Sequence, residues 1–170
     1  MQILEIATSI RMVAMASYLT KRAGFNAFFG RETPGLYQDA LVASLHRART
    51  TDSSFTSFRY SIKALDNMLS YVKSKHPDKT DLRSELLKCK THLQSAFYAF
   101  KEYFDTPSSY YLIRSEEKCK MALDGIAGLK DCTMDATLAS FLEQIKQPIL
   151  RLHNFLEGIT TSQAEQRGPC

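Results

Sequence analysis

An all-α fold follows from three features of this 170-residue sequence. Apolar residues recur at steps of three and four in four consecutive segments, which lays one apolar stripe along each of four helices. The breaks between those segments carry helix-starting Ser, Thr, Asp and Pro. Seven Gly, five Pro and no Trp leave little material for a turn-rich β-fold or a Gly-rich phosphate loop. A chain of this length buries roughly two thirds of its unfolded surface, so no metal or disulfide staple is required. Its 44% hydrophobic and 24% charged residues describe one ordinary soluble domain.

Residues 2–22 read as a helix with a broad apolar face of Ile3, Ile6, Ala7, Ile10, Val13 and Ala14. Only Gln2, Glu5, Ser9 and Thr20 make its polar stripe, so it needs covering on most sides. Gly24 to Gly30, with Phe25, Phe28 and Phe29, reads as an apolar linker. Thr33-Pro34 then starts a helix whose stripe is Tyr37, Leu41, Leu45 and Ala48, ending near Thr50.

Thr51-Asp52-Ser53 offers N-caps before the first long stripe, Phe55, Phe58, Ile62, Leu65, Leu69 and Val72. His76-Pro77-Asp78-Lys79-Thr80-Asp81 stops that helix and caps the next, striped by Leu82, Leu86, Cys89, Leu93, Phe97, Phe100 and Phe104. Thr106-Pro107 reads as a cap followed by Pro at the first helical position. The third stripe is Leu112, Cys119, Leu123, Ile126 and Leu129. Asp131-Cys132-Thr133 reads as the turn before the fourth: Met134, Leu138, Phe141, Ile145, Ile149, Leu152, Leu156 and Ile159. Pro148 falls inside this last helix and predicts a kink near Ser140 to Gln144.

Short connections make sequential helices antiparallel neighbours, and the expectation is an antiparallel up-down four-helix bundle over about 53–160 with two additional N-terminal helices. The second bundle helix also carries Leu87 and Tyr98 on nearly the opposite side from its stripe. That second face suggests the N-terminal pair, residues 1–50, packs on the bundle. The result is a single helical domain over 1–160 and a flexible tail over 161–170. The competing reading docks residues 1–30 onto a membrane or another subunit.

No secretory signal is read at the N-terminus: Arg11 interrupts the apolar stretch and no basic segment precedes it. The uncharged run Met12 to Thr20 is too short for a bilayer, which takes ~20 residues. The expected location is cytoplasmic; a mitochondrial presequence, suggested by Arg11, Lys21, Arg22 and Arg31, is one alternative, and delivery into another cell without a cleavable signal is another. Without a signal, Cys89, Cys119, Cys132 and Cys170 read as reduced thiols.

Catalytic motifs are missing from the sequence. His46, His76, His92 and His153 lack the HExxH or ExxH spacing that points two ligands at one metal. No CxxC, GxSxG, Walker A or GxGxxG pattern occurs, and Glu116 reads as an i,i+4 partner of Lys120. No catalytic residue, metal or cofactor is therefore expected.

Two constellations remain. Lys73, Lys75, His76, Lys79, Arg83, Lys88 and Lys90 crowd one helical hairpin. With Asp78, Asp81 and Glu85 among them, six cations face three carboxylates, a net of three. This patch suits phosphates of nucleic acid or acidic lipid, although Lys73 and Lys75 also complement a helix C-terminal dipole. The second constellation is aromatic: Phe97, Tyr98, Phe100, Tyr103, Phe104, Tyr110 and Tyr111 meet at one helix-turn-helix corner beside Lys101 and Arg114. Phe97, Phe100 and Phe104 fall on the core stripe; Tyr98, Tyr103, Tyr110 and Tyr111 are free to anchor a partner.

The functional expectation is a non-enzymatic protein–protein interaction module, an adaptor, regulator or effector. Its partner is another protein, or a second copy of itself, met through Tyr98, Tyr103, Tyr110, Tyr111, Phe25, Phe28 and Phe29. The alternatives are nucleic-acid binding through Lys73, Lys75, Lys79, Arg83, Lys88 and Lys90, and membrane association through residues 2–30.

Overall fold

The computed structural model describes residues 34–166, and every regular element among them is a helix. These are α1 (Pro34–Thr50), α2 (Ser54–Lys75), α3 (Thr80–Asp105), α4 (Ser109–Cys132) and α5 (Ala136–Gln166). The expected helix over 2–22 and the linker carrying Phe25, Phe28 and Phe29 lie outside the described residues. The chain clusters into two compact units that divide between Leu87 and Lys88, inside α3.

In the first unit α1 packs against α2. The α1 stripe of Tyr37, Leu41, Leu45 and Ala48 is buried, as its spacing predicts, and Ala40, Ala43 and Ser44 are buried with it. Ser57 Oγ donates to the Ala48 carbonyl at 3.2 Å and Asn67 Nδ2 donates to Ser44 Oγ at 3.4 Å. Partner numbers rise along α2 as they fall along α1, so the two helices are antiparallel. Helix α2 buries two faces. Phe58, Leu65 and Val72 follow the expected stripe; Ser57, Tyr60, Ser61, Ala64, Asn67, Met68 and Tyr71 form the other. The apolar spacing conceals this second face because four of its seven residues are Ser, Ala and Asn: Ser and Ala are small enough for backbones to approach closely, and Ser57 and Asn67 bond across the seam.

Helix α2 begins where Ser53 Oγ accepts the Thr56 N–H at 3.3 Å and ends where the His76 N–H reaches the Val72 carbonyl at 2.8 Å. Pro77 follows, unable to extend it.

In the second unit α3, from Lys88 onward, meets α4 and α5. Ser115 Oγ of α4 donates to the Ala96 carbonyl of α3 at 2.7 Å, and Gly125 lies against Cys89, so α3 and α4 are antiparallel. Helix α5 runs antiparallel to α4, with His153 beside Glu116 and Glu143 beside Lys130. It runs parallel to α3, with Phe155 against Phe100 and Gln163 against Tyr103. Leu112, Cys119, Ile126, Leu138, Leu142, Ile145, Ile149, Leu152 and Leu156 fill the interior.

Several local expectations are corrected. The cap of α4 is Ser108, which accepts the Tyr110 N–H, and not Thr106-Pro107; Pro107 precedes the cap. Cys132 ends α4 instead of sitting in a turn, because the chain leaves the helix one residue later, where the Thr133 N–H closes on the Leu129 carbonyl. Asp135 Oδ1 accepts the Leu138 N–H and starts α5, which leaves Met134 exposed in the connection instead of on the stripe. Phe55 and Phe104 have the right spacing but sit in the first turn of α2 and the last turn of α3, and both are exposed. Leu87 and Tyr98 are exposed; of the N-terminal pair expected to pack there, α1 packs on α2 and the 2–22 helix lies outside the described residues. Helix α5 continues past 160 to Gln166 because Thr160 and Gln163 have partners: the Leu156 carbonyl and the Tyr103 hydroxyl. Pro148 is buried inside α5, which continues through it.

Candidate functional site

The aromatic corner is built by the end of α3, the three-residue connection 106–108 and the start of α4. The Thr106 N–H bonds the Glu102 carbonyl and the Tyr111 N–H bonds the Ser108 carbonyl, so the backbone is tied on both sides of Pro107. The rings form three groups. Tyr103 and Phe104 meet edge to face at 5.6 Å; Phe104 meets Phe100 at 5.2 Å, and Phe100 meets Phe155 of α5 at 6.2 Å. Tyr110 and Tyr111 stack edge to face at 5.4 Å. Phe97 and Tyr98 lie 6.2 Å apart, with Lys101 Nζ 5.5 Å from the Phe97 ring centre.

Burial separates anchors from supports. Phe100 is buried; Tyr103 and Tyr111 are half-buried, and Gln163 Nε2 donates to the Tyr103 hydroxyl at 2.6 Å. Tyr98 is 62% exposed and Phe104 and Tyr110 are each 58% exposed. Phe104, placed in the core by its spacing, and Phe155, 51 positions further on, are the members whose place spacing alone misses. Phe104 sits in the last turn of α3 and stays exposed, and only the pairing of α3 with α5 brings Phe155 alongside.

The basic hairpin spans the last turn of α2, the connection 76–79 and the first part of α3. Lys73 and Lys75 occupy the last turn of α2, where cations offset the negative dipole end. Lys75 Nζ donates to the Tyr71 hydroxyl at 2.9 Å and lies 5.4 Å from that ring's centre. Arg83 Nη2 donates to the Pro77 carbonyl at 3.3 Å. Lys79 is exposed within the first unit, whereas Lys88 and Lys90 belong to the second.

One polar pair escapes sequence reading. His153 Nε2 lies 3.8 Å from Glu116 Oε1, so Glu116 reaches across to α5. Burial, then Lys118 and Lys88, hold the His92 imidazole below the ordinary histidine range. Lys130 and Glu143 pair at 2.6 Å on the surface; that hydrogen bond raises the lysine pKa and lowers the carboxylate's. Among the described residues no group of three or more His, Cys, Asp or Glu is placed to hold a metal ion. No described helix is long and apolar enough to cross a membrane.

Cys89 and Cys119 are buried and Cys132 is exposed, and none of the three is in a disulfide. Burial, aided by the Glu116 charge, pushes Cys119 up to about 12. Iodoacetamide at neutral pH should therefore label Cys132 in the native protein, and reach Cys89 and Cys119 only in denaturant; peptide mass mapping reads this directly. The unfolded chain ionises Cys119 near 9.0 while the folded chain keeps it neutral to about 12. This contribution to stability is thus intact below pH 9 and falls away as pH rises toward 12.

Comparison with protein-family models, with curated proteins and with solved structures found no match to the chain.

Proposed function

We propose that the chain is a non-enzymatic protein–protein interaction module of the adaptor, regulator or effector kind, with the α3–α4 aromatic corner as its contact surface. The observation that carries this reading is the exposure of three large rings, Tyr98, Phe104 and Tyr110, on helical backbone braced by the buried Phe100. Rings presented from ordered backbone lose little freedom on binding, and aromatic residues dominate the energy of protein interfaces. Half-buried Tyr103 and Tyr111 support Phe104 and Tyr110, and Phe97 lies beside Tyr98.

The test is the combined variant Tyr98→Ser, Phe104→Ser and Tyr110→Ser. The intact chain first identifies a binder by pull-down from its native cell, and the purified binder is then titrated against both proteins. The variant should bind at least about tenfold more weakly. Its unfolding free energy should stay within about 1 kcal/mol of the parent, because exposed side chains are removed. Undiminished binding would place the contact surface elsewhere.

A further inference from the structure

We infer that the outer face of α4 is a self-association surface, and that its occupant is the same face of a second copy of the chain, laid antiparallel. The inference stands apart from the aromatic corner and shares only Tyr110 with it. Helix α4 turns Leu112, Ser115, Cys119, Ala122, Ile126 and Leu129 inward. On its other side Tyr110, Arg114, Glu117, Met121, Asp124 and Gly128 follow at alternating steps of four and three, and all six are exposed. That spacing is the one with which two helices share a seam.

The charges along the seam say which partner fits. Arg114, Glu117, Lys120 and Asp124 alternate plus, minus, plus, minus. Among the described residues none of the four forms an ion pair. An alternating series of this kind, read from its other end, is its own complement. A second copy reversed against the first therefore meets opposite charge at each step, whereas a parallel copy sets Arg114 on Arg114 and Glu117 on Glu117. A two-fold axis at the level of residue 119 gives the register. Arg114 and Asp124 lie five residues either side of it and pair twice across the dimer; Tyr110 and Gly128 lie nine residues either side, and Glu117 and Met121 two. Glu117 also comes beside Lys120 of the second copy. The contact is isologous and closes at two chains.

Gly128 supplies an independent mark. A glycine inside a helix lowers stability relative to alanine. Gly128 lies inside α4, and a methyl group there would meet nothing within 4 Å, so packing within the chain does not call for it. Close approach of a second backbone or ring does call for it, and the antiparallel register lays Tyr110 of the second copy on this bare stretch. Ile113 and Met121 are exposed along the same face and add apolar contact. A seam one helix wide falls at the small end of specific interfaces, below about 1,200 Å², so the dimer is a weak one.

The test is sedimentation equilibrium of the full chain from about 10 μM to about 1 mM, the range in which a weak dimer forms. The parent should show a monomer–dimer equilibrium. Arg114→Asp and Asp124→Arg should each weaken it at least about tenfold, because each sets like charges together twice. The double variant carrying both changes should recover the parent's affinity to within about threefold, and an equimolar mixture of the two single variants should form mixed dimers. Gly128→Gln should also weaken association at least about tenfold while keeping or raising the unfolding midpoint in urea, which separates the interface from the fold. A parent that stays monomeric at about 1 mM would overturn the inference. So would single variants that dimerise like the parent, or a double variant no better than the singles. Removing the corner's rings with Tyr98→Ser and Phe104→Ser should leave self-association unchanged. Its loss in that variant would move the self-contact to the corner and overturn the α4 assignment.

Discussion

Phe58→Ala should lower the free energy of unfolding by about 3–5 kcal/mol, while Phe55→Ala changes it by less than about 1 kcal/mol. Both residues lie on the same apolar stripe of α2, three positions apart. Phe58 is 0% exposed and Phe55 is 39% exposed. Removing the buried ring forfeits its transfer free energy and opens a void in a packed interior. Removing Phe55 returns to water a side chain that was already partly there. Urea titration followed by far-ultraviolet circular dichroism checks the pair. Equal losses would show that the first turn of α2 is as firmly packed as its middle.

The second large effect concerns a close approach. A methyl group added at Gly125 would lie 2.6 Å from Cys89 Sγ, in the buried seam between α3 and α4. Glycine in a helix interior is about 1 kcal/mol worse than alanine, so open space would make Gly125→Ala stabilising. Here the overlap outweighs that gain, and Gly125→Ala should destabilise by about 1 kcal/mol and Gly125→Val by about 3 kcal/mol. The control is Gly128, where a methyl meets nothing within 4 Å. Gly128→Ala should stabilise by about 0.5–1 kcal/mol. A Cys89→Ala background removes the obstructing sulfur, and in it Gly125→Ala should turn neutral or stabilising. Thermal or urea unfolding of the four-member cycle reads the coupling. Absence of coupling would mean that Cys89 rotates away without loss.

The two phenylalanines of α2 show what the sequence carries and what it omits. Apolar spacing depends on the angular position of a residue around its helix, and that angle is legible: Phe58, Leu65, Val72, Leu138, Ile145 and Leu152 are all buried. Spacing says nothing about position along the axis. Phe55, Phe104 and Met134 have the right angle or register and lie where neighbouring helices have run out or the helix has not begun. The second face of α2 was hidden for another reason: Ser57 and Asn67 are buried with hydrogen bonds across the seam, and Ser61 and Ala64 by small volume.

At the candidate site the tyrosines were legible as a cluster, since all lie within fourteen positions of one another. Their ranking was not. Tyr103 is held by Gln163 from sixty positions away, and no local pattern announces that bond. Phe155 joins the cluster through the same long-range pairing of α3 with α5.

That bond also bears on the order of assembly. Helices α3 and α4 are joined by three residues and need only a short loop closure to meet, the kind of local contact that forms early. Tyr103 and Gln163 close a loop of sixty residues, and Gln163 lies in the last turns of α5. During synthesis Tyr103 is made long before its partner, so the corner's rings spend an interval without their final brace. The surface best suited to capturing another chain is therefore the last part of its unit to be completed, and completing it requires nearly the whole described chain.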